Sequence, residues 1–159
     1  MTHAWNGRVI GLHKTPRAFL PMSSDNELEL IAGEGIVGDR YCLGREEGFY
    51  SQKPEEGRQI TFFEAETLEA IQRDYKITML PEDHRRNVTT RGVPLNWLVH
   101  RRFYVGECLF EATRLSVPCK HIEEILGKPV FNPMVHRSGL NCRILIGGII
   151  RLEDKIRPE

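Results

Sequence analysis

The stretch RRFYVGECLFEATRLSVPCKHIEEILG, Arg101 to Gly127, sets the terms for the whole chain. Its first half alternates Phe103, Val105, Cys108 and Phe110 around Gly106 and Glu107, the pattern of a β-hairpin whose apolar side feeds a core. Its second half is a strand that stops at Pro118, which cannot continue a ladder but suits the first turn of a helix. Ile122, Ile125 and Leu126 then recur at helical spacing, and Gly127 and Pro129 end a helix of barely two turns, with Ser116 or the next residues as its cap. Cys119 sits at the junction, where unpaired N–H groups and the neighbouring Lys120 would favour thiolate, the form that ligates metals and attacks. The competing reading is a small buried apolar residue.

Working outward, Arg8 to His13 reads as a strand and Arg17 to Asn26, with its prolines and Ser-Ser-Asp-Asn run, as a loop. ELELIA resumes alternation on Leu28 and Leu30. The following glycine-rich run fits neither GxGxxG nor GxxxxGK[ST]; Gly33, Gly35 and Gly38 permit sharp turns and leave Asp39 and Arg40 to pin the loop or meet a ligand. The polar stretch from Gly44 to Gly57 reads as an exposed excursion or flap. Gln59 to Phe63 is β-prone, and a helix from about Glu64 to Asp74 carries Ala65, Leu68, Ile71 and Tyr75 on its apolar face, with its glutamates on the solvated side. Leu95 to Val99 suggests a helical turn burying Trp97. Toward the end, Ile144–Ile146 and Ile149–Leu152 flank Gly147 and Gly148 as a second hairpin. Many short strands with one good helix and one stub indicate a mainly β domain, most simply a closed or nearly closed β-barrel, spanning residues 1–159 as one unit.

Arg85, Arg86, Asn87, Thr89 and Thr90 place two guanidiniums, an amide and two hydroxyls within six residues, a set able to hold a phosphate; an exposed basic turn facing glutamates is the alternative. Arg143 is a second anion candidate and Cys142 a thiol that could approach a site, while Cys42 and Cys108 read as structural. His121 lies nearest Cys119, on the exposed side of a short helix. With 22 basic and 22 acidic residues, nothing global draws the chain to nucleic acid or an acidic membrane. The four cysteines show no zinc spacing, and the N-terminal residues resemble neither a signal peptide nor an anchor, so a cytoplasmic protein with reduced thiols is expected.

Several stretches in one order resemble the MOSC family, named for the C-terminal domain of molybdenum cofactor sulfurase: GIVGDRY, RQITFFEAETLEAI, RRNVTTRG, LNWLVHRRFYVGE, VPCKHIEEILG and SGLNCRILIGGIIRLEDKI. The resemblance runs from about Arg8 to the C-terminus. It implies a barrel like that of the pyruvate kinase barrel domain, a molybdenum cofactor, Cys119 as metal ligand, and a pterin phosphate held by Arg85, Arg86 and Asn87, with Arg143, Lys14, Thr89 and Thr90 in support. The implied activity is reductive oxygen removal from N-hydroxylated small molecules, with an electron-donor or cofactor-receiving protein as partner. The alternatives are a persulfide carrier, a cofactor-delivery module, or a barrel whose site has decayed. Pyridoxal phosphate is not expected, because no counterpart of the desulfurase domain of the fused sulfurases is present. Tyr41 stands where many relatives have histidine, and Ser116 where some have a second cysteine, which leaves a single-thiolate chemistry.

Overall fold

The computed structural model describes residues 4–42 and 57–159, so the expected flap from Gly44 lies almost wholly outside the described residues. Ten strands are described: β1 (Gly7–Leu12), β2 (Glu27–Ile31), β3 (Gly35–Ile36), β4 (Ile60–Glu64), β5 (Val88–Arg91), β6 (Arg102–Val105), β7 (Cys108–Leu115), β8 (Leu140–Ile146), β9 (Gly148–Arg151) and β10 (Lys155–Pro158). The helices are α1 (Ala65–Tyr75), α2 (Lys120–Leu126) and α3 (Phe131–Met134), with 3-10 turns at Pro81–His84 and Leu95–Leu98. Seven strands close a barrel in the order β1-β10-β6-β7-β8-β4-β5, and β3-β2-β9 form a small second sheet. The barrel is mixed: β4 and β5 run parallel, and every other barrel pair is antiparallel.

The expected hairpin between β6 and β7 is present, with Val105 opposite Cys108 and Gly106 at φ 55°. The expected hairpin at Gly147 and Gly148 is not. β9 leaves the barrel and pairs with β2, Glu29 opposite Ile149. Gly147 marks the crossing point, where a Cβ would stand 2.5 Å from the Leu30 carbonyl oxygen, so glycine serves close backbone approach there rather than a turn.

Inside the barrel Phe62, Phe103 and Phe110 pack in a triangle with ring centroids 5.2 to 5.6 Å apart. Cys108 and Cys142 belong to this core, so Cys142 does not approach the exposed thiol. A second cluster of Phe63, Ile71, Met79, Ile122, Val130 and Met134 lies between α1 and the α2–α3 pair. A seven-residue helix is marginal by itself, and this cluster is what seats α2. Trp97 is not buried: Leu95 and Leu98 take the core, and its ring lies exposed beneath Arg101, 4.0 Å from the guanidinium carbon.

Strand direction decides where chemistry can gather. Parallel pairing of β4 with β5 needs a crossover, and α1 supplies it, returning the chain to the same end of the barrel. The pairs Leu12–Val88, Phe62–Val88, Phe62–Leu140 and Leu115–Leu140 put the end of β1, the starts of β5 and β8 and the end of β7 in one row across the middle of β4. The connections 13–26, 76–87 and 116–139 therefore meet there. Among the described residues no helix is long and apolar enough to cross a membrane.

Candidate functional site

At this end a cavity of about 50 Å³ is lined by Phe19, Arg40, Tyr41, His84, Arg85, Arg86, Cys119 and His121, with Ile122, Ile125 and Met134 as its apolar side. At about 10–15 Å³ per enclosed water, such a volume holds a handful of waters or one small oxyanion, well below the ~300 Å³ of a pocket that encloses a whole organic cofactor.

Cys119 is exposed and is the N-cap residue of α2, in extended conformation, while Gly127 closes the helix in the left-handed conformation at φ 64°. Ser116 is not the cap. It is buried, with its hydroxyl bonded to the side-chain oxygen of Asn141, so the position where some relatives carry a second thiol is turned into the barrel. His121 is half exposed as expected, pairs with Glu124 at 3.6 Å, and meets the Phe19 ring edge-on at 4.9 Å.

The arginine turn is built from below. His84 is fully buried, its ring stacked 4.3 Å from Phe63. Its Nδ1 accepts the backbone N–H of Arg86 at 2.9 Å and its Nε2 lies 2.6 Å from Thr89 Oγ1, which is also 2.9 Å from His13 Nε2. A ring nitrogen that accepts an amide proton carries none itself, so neutral His84 is protonated at Nε2, and Thr89 accepts from it and donates to His13. Burial, with His13 and Arg86 nearby, pushes the His84 pKa well down, and burial lowers His13 as well. His84 thus faces the cavity with both nitrogens engaged; it is a strut, not a base.

Arg85 takes a left-handed backbone conformation at φ 62°, is buried, and donates through Nη1 to the Leu20 carbonyl at 2.7 Å. Arg86 donates through Nε to the Ser138 carbonyl at 3.0 Å and through Nη2 to Ser138 Oγ and the Val117 carbonyl at 3.1 Å, which ties the turn to the segment just before Cys119. The exposed basic turn is therefore excluded for His84 and Arg85, which are inside.

Asn87 lies deeper. Its side-chain oxygen accepts Thr61 N–H and Oγ1–H at 3.0 Å, and its amide donates to the His13 carbonyl at 3.1 Å and to Asp39 Oδ1 at 3.2 Å. Those bonds join β4, the end of β1 and the glycine-rich loop, and they occupy the amide from both sides. Thr89 is spent on the two histidines and Thr90 on the Phe63 carbonyl. Lys14 donates to the Val37 carbonyl at 3.4 Å and does not line the cavity. Arg143 is placed elsewhere on the barrel, against Glu111 at 3.0 Å, because its position on β8 faces the neighbouring strand β7 and not the barrel end. Of the residues expected at the site, the structure brings together Cys119, Arg85 and Arg86, sets Asn87, Thr89 and Thr90 beneath them, and leaves Lys14 and Arg143 outside.

Arg40 completes the group. It is 3% exposed; Nη2 donates to the Arg85 carbonyl at 3.0 Å, Nη1 meets Met22 Sδ at 3.3 Å and lies 3.8 Å from Asp39 Oδ1, and the guanidinium sits 4.4 Å over the Tyr41 ring. Its buried Nε has no hydrogen-bond partner among the described residues. A buried guanidinium with an unspent donor beside a cavity is costly unless an anion meets it. Asp39 feels burial raising its pKa, with Arg40, two backbone N–H groups and Asn87 pulling it back. The signal for Arg40 is its place after Gly38, whose φ of 85° turns the chain sharply and sends the next two residues inward. Among the described residues no three His, Cys, Asp or Glu side chains are grouped to hold a metal, so a metal at Cys119 would take its other donors from a cofactor.

A family model described as MOSC domain matches residues 39–157. Of solved structures, the YuaD protein from Bacillus subtilis superposes with a TM-score of 0.79 at 20% identity, over 95% of this chain and 94% of that one. YiiM from Geobacillus stearothermophilus gives 0.67 at 12% identity (96% and 75% covered), and YiiM from Escherichia coli 0.65 at 15% (96% and 69%). At such identities the likeness is one of fold. No curated protein matches the sequence.

Proposed function

Because the chain belongs to the MOSC domain family, which is associated with the molybdenum cofactor, we propose that it binds that cofactor at this cavity, with the Cys119 thiolate as the protein's ligand to the metal. The observation that carries the reading is the donor set: an exposed thiol beside three guanidiniums, one of which, Arg40, keeps a buried Nε with no partner among the described residues. Thiolate is a soft ligand suited to a metal held largely by sulfur, and guanidinium is the side chain best matched to a phosphate oxyanion.

When bound, the cofactor would supply oxygen-atom and two-electron chemistry, here the reductive removal of oxygen from N-hydroxylated small molecules, with electrons from a separate donor protein. The chain's own residues bind, orient and exclude. Arg40, Arg85 and Arg86 neutralise the phosphate. His84, Thr89 and Asn87 hold the arginine turn at its height above β5. Ile122, Ile125 and Met134 keep one side of the cavity dry. Ser116 offers no second thiol, so among the described residues Cys119 is the thiol that lines the cavity.

The exposure of Cys119 also suits a sulfur carrier, in which the thiolate holds a persulfide without turnover. Elemental analysis of protein made with ample molybdate separates the two. About one molybdenum per chain, lost in Cys119→Ala with the fold intact, supports the metal ligand. The same metal content in Cys119→Ala refutes it, and a labile extra sulfur on Cys119 without metal favours the carrier.

A further inference from the structure

The cavity wall formed by Ala18 and Phe19 differs from every other. It belongs to a loop whose neck is pinned, Ser23 N–H to the Lys14 carbonyl at 2.8 Å and Thr15 N–H to Asp39 Oδ1 at 3.2 Å. Between those pins, residues 16–22 carry one tight turn centred on Ala18 and Phe19, and among the described residues no backbone–backbone hydrogen bond joins them to another element. What ties them down is side chains: Arg85 Nη1 on the Leu20 carbonyl, Arg40 Nη1 on Met22 Sδ, and His121 edge-on to Phe19. Phe19 is held at φ 67°, a left-handed conformation that strains a bulky residue, while the residue is 51% exposed. A segment with few backbone bonds and stored strain is one that opens locally.

The tie at Leu20 is made by one of the cations that face the cavity. A neutral carbonyl accepts one bond from a guanidinium; an oxyanion accepts two in parallel and carries the charge that the carbonyl lacks. We propose that residues 16–22 are a strap latched by Arg85, and that an oxyanion entering the cavity takes Arg85 from the Leu20 carbonyl and releases the strap. The inference rests on reading the cavity as an oxyanion site. It also accounts for the size of the cavity: a phosphate group can enter with the strap down, and the remainder of a larger ligand gains room once Phe19 swings away on its Lys14–Ser23 neck.

The probe is inorganic phosphate, titrated against chloride at matched ionic strength, with binding followed by calorimetry and the strap by amide hydrogen exchange in the whole chain. At saturating phosphate the Leu20 amide, the one held by the Ala18–Phe19 turn, should exchange roughly tenfold faster, the order expected from losing one charged hydrogen bond, while the amides of β1 stay unchanged. Arg85→Gln without phosphate should show the same acceleration, and phosphate should add nothing further to it. Phosphate binding with unchanged or slower strap exchange overturns the release and leaves the oxyanion site standing. No phosphate binding overturns both. Arg85→Gln exchange equal to wild type overturns the latch, with circular dichroism confirming that the variant is folded.

Discussion

Replacing Asn87 by alanine separates a brace from a ligand. The side chain is fully buried and satisfies the Thr61 N–H, the Thr61 hydroxyl, the His13 carbonyl and one acceptor place on Asp39. Alanine leaves the Thr61 N–H and the His13 carbonyl without the partners they have now, at a point no water reaches in the folded chain. Each stranded backbone group costs about 1–3 kcal/mol, so the loss should come to about 4 kcal/mol, above the ordinary range for single substitutions. For a chain of 159 residues that corresponds to a drop in Tm of roughly 8–16 °C. Urea unfolding and scanning calorimetry on the cofactor-free protein measure it directly. A loss below about 1 kcal/mol, together with failed phosphate or cofactor binding, would refute the brace and return Asn87 to the role of ligand.

Other expectations follow from the same structure. Burial, with Glu66 adding repulsion, raises the Glu64 pKa to about 7 from 4.5. The neutral carboxyl is then favoured by the fold, so the cost of Glu64 is absent below its unfolded pKa and grows as pH rises through 7. Glu64→Gln should accordingly raise stability by about 1 kcal/mol at pH 8, after discounting for partial exposure, and change nothing near pH 4.5; equal effects at both pH values would contradict this. A thiol reagent should label Cys119 in the native protein and reach Cys42, Cys108 and Cys142 only on unfolding, since those three are buried and burial raises the pKa of both Cys108 and Cys142. Rapid labelling that survives in Cys119→Ser would disprove it. Gly139→Ala puts a Cβ 2.1 Å from the Phe62 carbonyl oxygen at φ 101°, and should cost more than about 3 kcal/mol or abolish folding. Gly33→Ala, with nothing within 4 Å at φ 76°, should cost only about 1 kcal/mol of backbone strain; thermal unfolding compares the two.

Period-2 alternation is enough to find β2 and the β6–β7 hairpin, because each presents one face to a core, whereas β1 shows as a short apolar run that ends before Thr15 and Pro16. The closed barrel followed from counting such strands, and the closed seven-strand barrel agrees. What local pattern could not supply was partnership. Gly147 and Gly148 read as a turn because turn glycines and glycines at a close crossing look alike in one dimension, and only the approach of Leu30 tells them apart. Trp97 was expected inside because it is large and apolar, yet a four-residue 3-10 turn has one buried side and Leu95 and Leu98 fill it. At the site, Cys119 and the arginine pair stand out as residues, but their meeting depends on the register that sets the start of β5 and the end of β7 in one row across β4 and β8. Arg143 sits on the same strand as Asn141, two residues nearer the middle, and that shift is enough to send it to Glu111. The roles of Asn87 and Thr89 as struts were hidden because a polar side chain that holds a turn and one that holds a phosphate are chemically the same.

The most direct test is a crystal of the molybdenum-loaded protein measured on both sides of the molybdenum absorption edge. The account predicts one anomalous peak within bonding distance of Cys119 Sγ, on the side that faces Arg40, Arg85 and Arg86. A peak bonded to any other side chain, or a fully loaded protein with the metal away from that sulfur, would contradict it.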